Sequence, residues 1–141
     1  AALEESSGEP CADAVTGVVN LILDTHVLLW WLADEPLSGA AARAIADPGN
    51  LVYVSAASIW EISVKRAIGK LEIDGDPIGA MGADFEPLPI RFPHADLAGR
   101  LPTHHRDPFD RMLIAQASVE QLDLVTRDRR LDAYDVRVLR A

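Results

Sequence analysis

At residue 19 the chain takes up a regular pattern of apolar and polar positions, and it keeps that pattern to its end. Residues 19–23 form a short apolar run, the signature of a strand buried on both faces. Runs of the same kind recur at residues 51–54, 88–90, 122–125 and 136–139. Between them the apolar positions take helical spacing. Residues 27–32 and 38–46 predict two helices, the second opened by Ser38 as N-cap and stopped by Pro48-Gly49. Residues 55–68 predict a third, apolar at Ile59, Ile62 and Ala67 and closed by Gly69. Asp76-Pro77 can open a further helix, weakened by Gly79 and Gly82, and residues 93–101 read as helical with Pro93 in the first turn. The sharpest start is Asp107-Pro108, a capping aspartate followed by proline at the first helical position. It predicts a helix to about residue 121. A short helical turn is predicted over residues 128–131. Strands separated by helices predict one α/β domain, a central parallel sheet flanked by helices on both faces.

Residues 1–18 stand apart. Ser6, Ser7, Gly8 and Pro10 interrupt any periodicity and four acids keep the stretch polar, so it reads as a disordered acidic tail before a domain of residues 19–141. The chain contains no run of the roughly eighteen apolar residues that a membrane-spanning helix needs. Glu4, Glu5 and Glu9 stand where a secretory signal carries basic residues, and the sole cysteine, Cys11, has no partner for an internal disulfide. These features predict a cytoplasmic protein that makes no membrane contact.

A net charge of −9 argues at first against a nucleic-acid partner, which usually meets a basic surface. Acidity can serve solubility alone, or it can mark carboxylates gathered where divalent cations bind and neutralise them. The distribution bears on this choice, because residues 100–130 hold six arginines against five acids.

In open parallel sheets chemistry gathers at the carboxyl ends of the strands. Asp24 ends the first apolar run and Asp128 lies just past the fourth. Glu61 sits two turns into the helix that leaves the second strand, and Asp110 one turn into the helix that feeds the fourth. Four acids from separate segments can therefore meet on one edge. Carboxylates repel one another, so such a meeting implies a cation, and hard oxygen ligands suit Mg2+ or Mn2+. Each acid also has a plain structural reading. Asp24 can be a turn or cap residue, Asp107 an N-cap, and Asp110 a first-turn acid that favours the helix dipole. Glu61 precedes Lys65 by four residues, the order of a helix-surface ion pair. Asp128 can belong to a solvated cluster with Arg127, Arg129 and Arg130.

The motifs together resemble the PIN-domain family. Leu23-Asp24-Thr25-His26 is similar to its opening motif and Ser55-Ala56-Ala57-Ser58-Ile59-Trp60-Glu61-Ile62 to its second. The segment from Arg106-Asp107-Pro108-Phe109-Asp110-Arg111 to Ala117 resembles the third, and Val125-Thr126-Arg127-Asp128 the fourth. Order and spacing agree over residues 19–141, and the branch resembled is that of the VapC-type toxins. The resemblance implies a Mg2+-dependent endoribonuclease that acts on RNA, forms a homodimer, and is silenced by a cognate antitoxin in a hetero-oligomer. It implies an acidic quartet of Asp24, Glu61, Asp110 and Asp128. Asp24 and Asp110 are then direct metal ligands, while Glu61 and Asp128 ligate through water or orient the nucleophile. Thr126 holds a carboxylate or water, and Asp107, one turn before Asp110, is a further candidate. A metal held in this way activates a water for attack on the phosphodiester.

Lys65, Arg106, Arg111, Arg127 and Arg129 are candidate phosphate contacts. His104 and His105 read as loop residues rather than general acids. Trp30 and Trp31, about 100° apart on one helix, divide between core packing and a groove for an antitoxin helix. Two other functions remain open on the residues alone. One is a non-catalytic α/β binding module whose acids are caps and ion pairs. The other is a phosphatase of the HAD type, which wants a second carboxylate two residues after Asp24, where this chain has His26.

Overall fold

Leu21, Ile22 and Leu23 are wholly buried, as a strand covered on both faces requires. They belong to β1 (Asn20–Leu23), the middle strand of the sheet. The computed structural model describes residues 18–141, so the acidic tail expected over residues 1–18 lies, but for Val18, outside the described residues. Around β1 stand β2 (Leu51–Ser55), β3 (Glu86–Leu88), β4 (Asp123–Thr126) and β5 (Val138–Arg140). All pairings are parallel, in the order β3-β2-β1-β4-β5. The predicted sheet is the observed one.

The pleat sorts the core into two layers. Leu21 and Leu23 of β1, Val52 and Val54 of β2 and Val125 of β4 face one way. They pack against Val27 and Leu28 of α1 (Thr25–Leu32), Ala41 and Ile45 of α2 (Gly39–Ala46) and Ile62 of α3 (Ala56–Ala67). Ile22 and Leu124 face the other way, with Leu113, Ile114 and Ala117 of the long helix near the C-terminus and with Leu131 and Tyr134. A short α4 (Pro77–Met81), α5 (Phe92–Arg100), that long helix α6 (Pro108–Glu120) and a 3-10 turn (Arg129–Ala133) complete the chain.

The helix starts follow the side chains that cap them. Asp24, Ser38, Ser55, Asp76 and Asp107 each accept a backbone N–H of the following turn. Because Asp24 is itself a cap, α1 begins at Thr25, earlier than the apolar spacing from residue 27 suggested. Two strands are shifted from their expected places. The third runs over Glu86–Leu88 rather than residues 88–90, because Pro89 has no N–H to continue a ladder. The same restriction allows Pro87 only because β3 is an edge strand. The last strand starts at Val138 rather than residue 136, since the Val136 N–H turns back to the Tyr134 carbonyl at 2.9 Å.

One buried polar link fixes the helix-bearing edge. Ser55 Oγ donates to Gln116 Oε1 at 2.5 Å, and Gln116 Nε2 donates to the Pro89 carbonyl at 3.2 Å. The wholly buried Gln116 thus joins α6 to the ends of β2 and β3. Gln116→Leu leaves the Ser55 proton and the Pro89 carbonyl without these partners, at an expected cost of about 1–3 kcal/mol by urea denaturation. An unchanged midpoint would show that the link carries no stability.

The site follows from the strand order. The chain leaves β1 toward β2 on one side and returns through β4 on the other. Connections therefore diverge above the carboxyl ends of β1 and β4 and leave a crevice there.

Candidate active site

Asp24 stands at that crevice, 5% exposed. Its Oδ1 accepts from the His26 N–H at 3.2 Å, and its Oδ2 accepts from Thr126 Oγ1 at 2.7 Å. Thr126 Oγ1 in turn accepts from the Asp128 N–H at 3.0 Å, so the ends of β1 and β4 are stitched together through one hydroxyl. Burial raises the Asp24 carboxyl above its ordinary range. The Thr126 and His26 bonds oppose that rise, and the charge of Glu61 adds to it.

Glu61 comes from the second turn of α3, only 3% exposed. Its Oε2 takes Lys65 Nζ at 2.6 Å, so the expected ion pair exists, but with a buried carboxylate rather than on an open helix surface. That bond is also the main reason the Lys65 ammonium is held above its usual range. Glu61 Oε1 is buried and has no hydrogen-bond partner. A hydroxyl contact, Thr25 Oγ1 to Ser58 Oγ at 3.0 Å, locks α1 against α3 just below.

The third wall is the start of α6. Asp107 Oδ1 accepts from the Phe109 and Asp110 N–H groups at 2.8 and 3.2 Å, which makes it the cap the sequence predicted. Asp110, one turn on, has no backbone duty for its carboxylate. Its Oδ2 is 2.6 Å from His105 Nε2. Burial first, and then the charge of Asp24, push its pKa to about 6, against the pull of His105. Asp128 differs. Arg130 grips both its oxygens, and that bond holds its carboxyl below the ordinary range.

Asp24, Glu61, Asp107, Asp110 and Asp128 line one cleft of about 430 Å³. Three cationic side chains share it, namely Lys65, Arg127 and Arg130. Lys65 is bound to Glu61 and Arg130 to Asp128. Arg127 lies over the Trp30 ring at 4.1 Å and donates to the Ala141 and Pro36 carbonyls. Asp110 therefore faces the charge of Asp24, and no Lys or Arg is bound to either among the described residues. A buried, partnerless carboxylate oxygen in a cleft shared with two carboxylates of raised pKa suits a hard divalent cation. No cysteine or methionine among the described residues lines that cleft. Among the described residues, His105, Asp110 and Asp128 also bring one donor atom each within 4.8 Å of one another.

The remaining candidates divide. Arg111 reaches away from the cleft to the carbonyls of Ala98, Leu101 and Pro102 at 2.8–3.0 Å and of His105 at 3.2 Å. Arg106 and Arg129 are exposed and do not line the cleft. Trp30 and Trp31 both pack against the core, and Trp30 also forms part of the cleft wall. Three cleft or near-cleft residues were named from the sequence without a place in the site: His26 within the opening motif, Arg130 as an ion-pair partner of Asp128, a pair that forms, and His105 as a loop residue. His104 is exposed and meets only the Tyr134 ring edge-on. His105 is 8% exposed, not an idle loop residue. The available signal was its place just ahead of the Asp107 cap, within reach of the first turn of α6.

Residues 21–137 match the family of the PIN domain. The chain is 30% identical over 122 residues to Ribonuclease VapC22 of Mycobacterium tuberculosis, covering 83% of this chain and 93% of the relative. Among solved structures it resembles the VapBC2 complex of Rickettsia felis bound to a promoter DNA fragment. That match has a TM-score of 0.67 at 14% identity, over 86% of this chain and 98% of the other. It also resembles VapBC-5 of Mycobacterium tuberculosis, with a TM-score of 0.61 at 22% identity, over 87% of this chain and 99% of the other. At such identities the structural likenesses speak for the fold.

Proposed function

The chain belongs to the PIN-domain family, and we propose that it is a VapC-type toxin, a Mg2+-dependent endoribonuclease silenced by a cognate antitoxin. The observation that carries this reading is the orphaned, buried Glu61 Oε1 in a cleft shared with Asp24 and Asp110. Kinship with a protein named as a ribonuclease supports the substrate, and likeness to toxin–antitoxin complexes supports the partner.

Asp24 and Asp110 are the residues that would hold the cation. When bound, a divalent cation lowers the pKa of a water and offsets charge that develops on phosphoryl oxygens. Asp24 is held on both oxygens, so it meets the cation already oriented. Glu61, with Oε1 left without a partner, would accept from a water or help hold the cation. Asp128, fixed by Arg130 and by the Arg130 N–H, lines the same cleft and would orient a water there. Thr126 supports the set by donating to Asp24. Lys65, a third exposed on its side chain, has ammonium protons left over from Glu61 to meet phosphate oxygens. Arg130 is placed at the rim for the same work, in preference to Arg111. Mn2+ should substitute for Mg2+, because the donors are oxygens.

No helix among the described residues is long and apolar enough to cross a membrane. Trp60, Phe92 and Ile90 are exposed apolar side chains, and Trp60 and Ile90 line an apolar groove beside the cleft. Such a patch supports assembly with protein, as a homodimer and with the antitoxin.

RNA cleavage by the purified chain should require Mg2+ or Mn2+ and stop in excess EDTA. A gel assay with a single-stranded RNA checks this, and full activity in EDTA would sink the reading.

A further inference from the structure

Every carboxylate of the cleft has its own donor. Asp24 has Thr126 and the His26 N–H, Glu61 has Lys65, and Asp128 has Arg130. Asp110 has His105 alone among the described residues, through one short bond from Oδ2 to Nε2 at 2.6 Å. We propose that His105 is the positioning residue of Asp110, its Nε2–H holding Oδ2 so that the other oxygen stays turned to the cation. The inference rests on the reading of Asp110 as a cation ligand.

The surroundings of His105 are built to deliver it. Its N–H donates to the Tyr134 hydroxyl at 2.9 Å, and its carbonyl accepts from Arg111 at 3.2 Å. Tyr134 also donates to the Pro102 carbonyl at 2.7 Å, and Arg111 holds the Ala98 and Leu101 carbonyls. Two side chains from other elements thus clamp the loop between α5 and α6 on both sides of one buried histidine. Arg111 follows Asp110 directly in α6, so the helix that carries the ligand also fixes its positioner. A lysine or arginine at position 105 would bring a permanent charge that competes with the cation. An imidazole N–H aims the carboxylate without that competition, and the ring carries this donor when protonated and, when neutral, in the Nε2–H tautomer that an ionised Asp110 selects.

The test is Mn2+ binding to the full chain without RNA, by titration calorimetry, for wild type, His105→Ala and His105→Gln. Outer partners of metal ligands are typically worth about 10–100-fold in affinity. His105→Ala should weaken Mn2+ binding at least about tenfold, and His105→Gln, whose amide can donate in place of Nε2, should recover most of it. Equal affinity of wild type and His105→Ala overturns the proposal. Failure of the wild type to take up Mn2+ overturns instead the nuclease reading beneath it. Pulsed EPR of the Mn2+ complex adds a second readout. A nitrogen coupling lost in His105→Ala would make His105 a ligand and overturn a positioning role. Should His105→Ala not fold, NMR of the wild type decides. The Nε2–H resonance of His105 is expected far downfield and shifted in Asp110→Asn, and its absence overturns the proposal.

Discussion

Asp110→Asn is expected to abolish RNA cleavage and, at neutral pH without metal, to make the protein more stable. The two effects share one cause. The Asp110 side chain is 15% exposed, and burial with the charge of Asp24 lifts its pKa from 3.8 to about 6. Keeping it ionised at pH 7 therefore costs the folded state on the order of 3 kcal/mol. The asparagine amide carries no charge, and its oxygen can still accept from His105. Loss of the charge-assisted part of that bond reduces the gain, which leaves about 1–2 kcal/mol of net stabilisation. A direct ligand is lost at the same time, so cleavage should fall by more than the 10–100-fold typical of outer positions. The stabilisation given by Mg2+, which acts by binding the folded state, should shrink with it. Melting curves of both proteins in EDTA and in Mg2+ check all of this. A variant less stable in EDTA, with the wild-type gain from Mg2+, would make Asp110 a first-turn helix acid and nothing more.

Asp24 is a poorer place for that experiment, and the reason shows what the sequence could and could not say. The strand-end position of Asp24 supports both a cap and a site residue, and the structure realises both. Its Oδ1 caps α1 while its Oδ2 takes Thr126 across the crevice. An asparagine there mixes relief of repulsion with a lost cap of about 0.5–2 kcal/mol. Asp107 is double in the same way, a cap whose carboxylate also lines the cleft. Spacing placed Glu61 four residues before Lys65, and the pair forms. Spacing alone does not say which face of α3 meets the sheet, so the burial that leaves Oε1 without a partner was not legible. The sheet was legible nearly whole, because buried parallel strands write themselves as apolar runs. Arg111 was not, since its acceptors are backbone carbonyls whose directions depend on the path of the loop from α5 to α6. His105 was set aside as a loop residue for the same reason. A histidine in a loop declares nothing until the loop is folded around it.

The metal-free protein should be more stable near pH 5 than at pH 7, the reverse of what the ion pairs alone would give. Asp110 binds its proton more tightly folded than unfolded, so its contribution is complete below about pH 4 and is lost as pH rises through about 6. Asp24, raised by burial, acts in the same direction. Asp128 is lowered by Arg130, and its contribution is lost only as pH falls below the ordinary carboxylate range. The two tendencies occupy different windows, and between pH 5 and pH 7 the raised pair prevails. The Asp110 shift has an upper value near 3 kcal/mol. Part of it is complete already at pH 5, so a fall of about 1–2 kcal/mol from pH 5 to pH 7 is expected. Saturating Mg2+ should flatten or invert the slope, because the cation binds the ionised carboxylates and competes with protons. Urea denaturation at pH 5, 6 and 7, in EDTA and in Mg2+, measures it. Asp110→Asn should lose most of the slope in EDTA, which assigns the slope to this carboxylate. Wild type in EDTA that gains stability from pH 5 to pH 7 would mean that Asp110 is not strained by its burial and by the charge of Asp24, and the case for a cation beside it would lose its energetic basis.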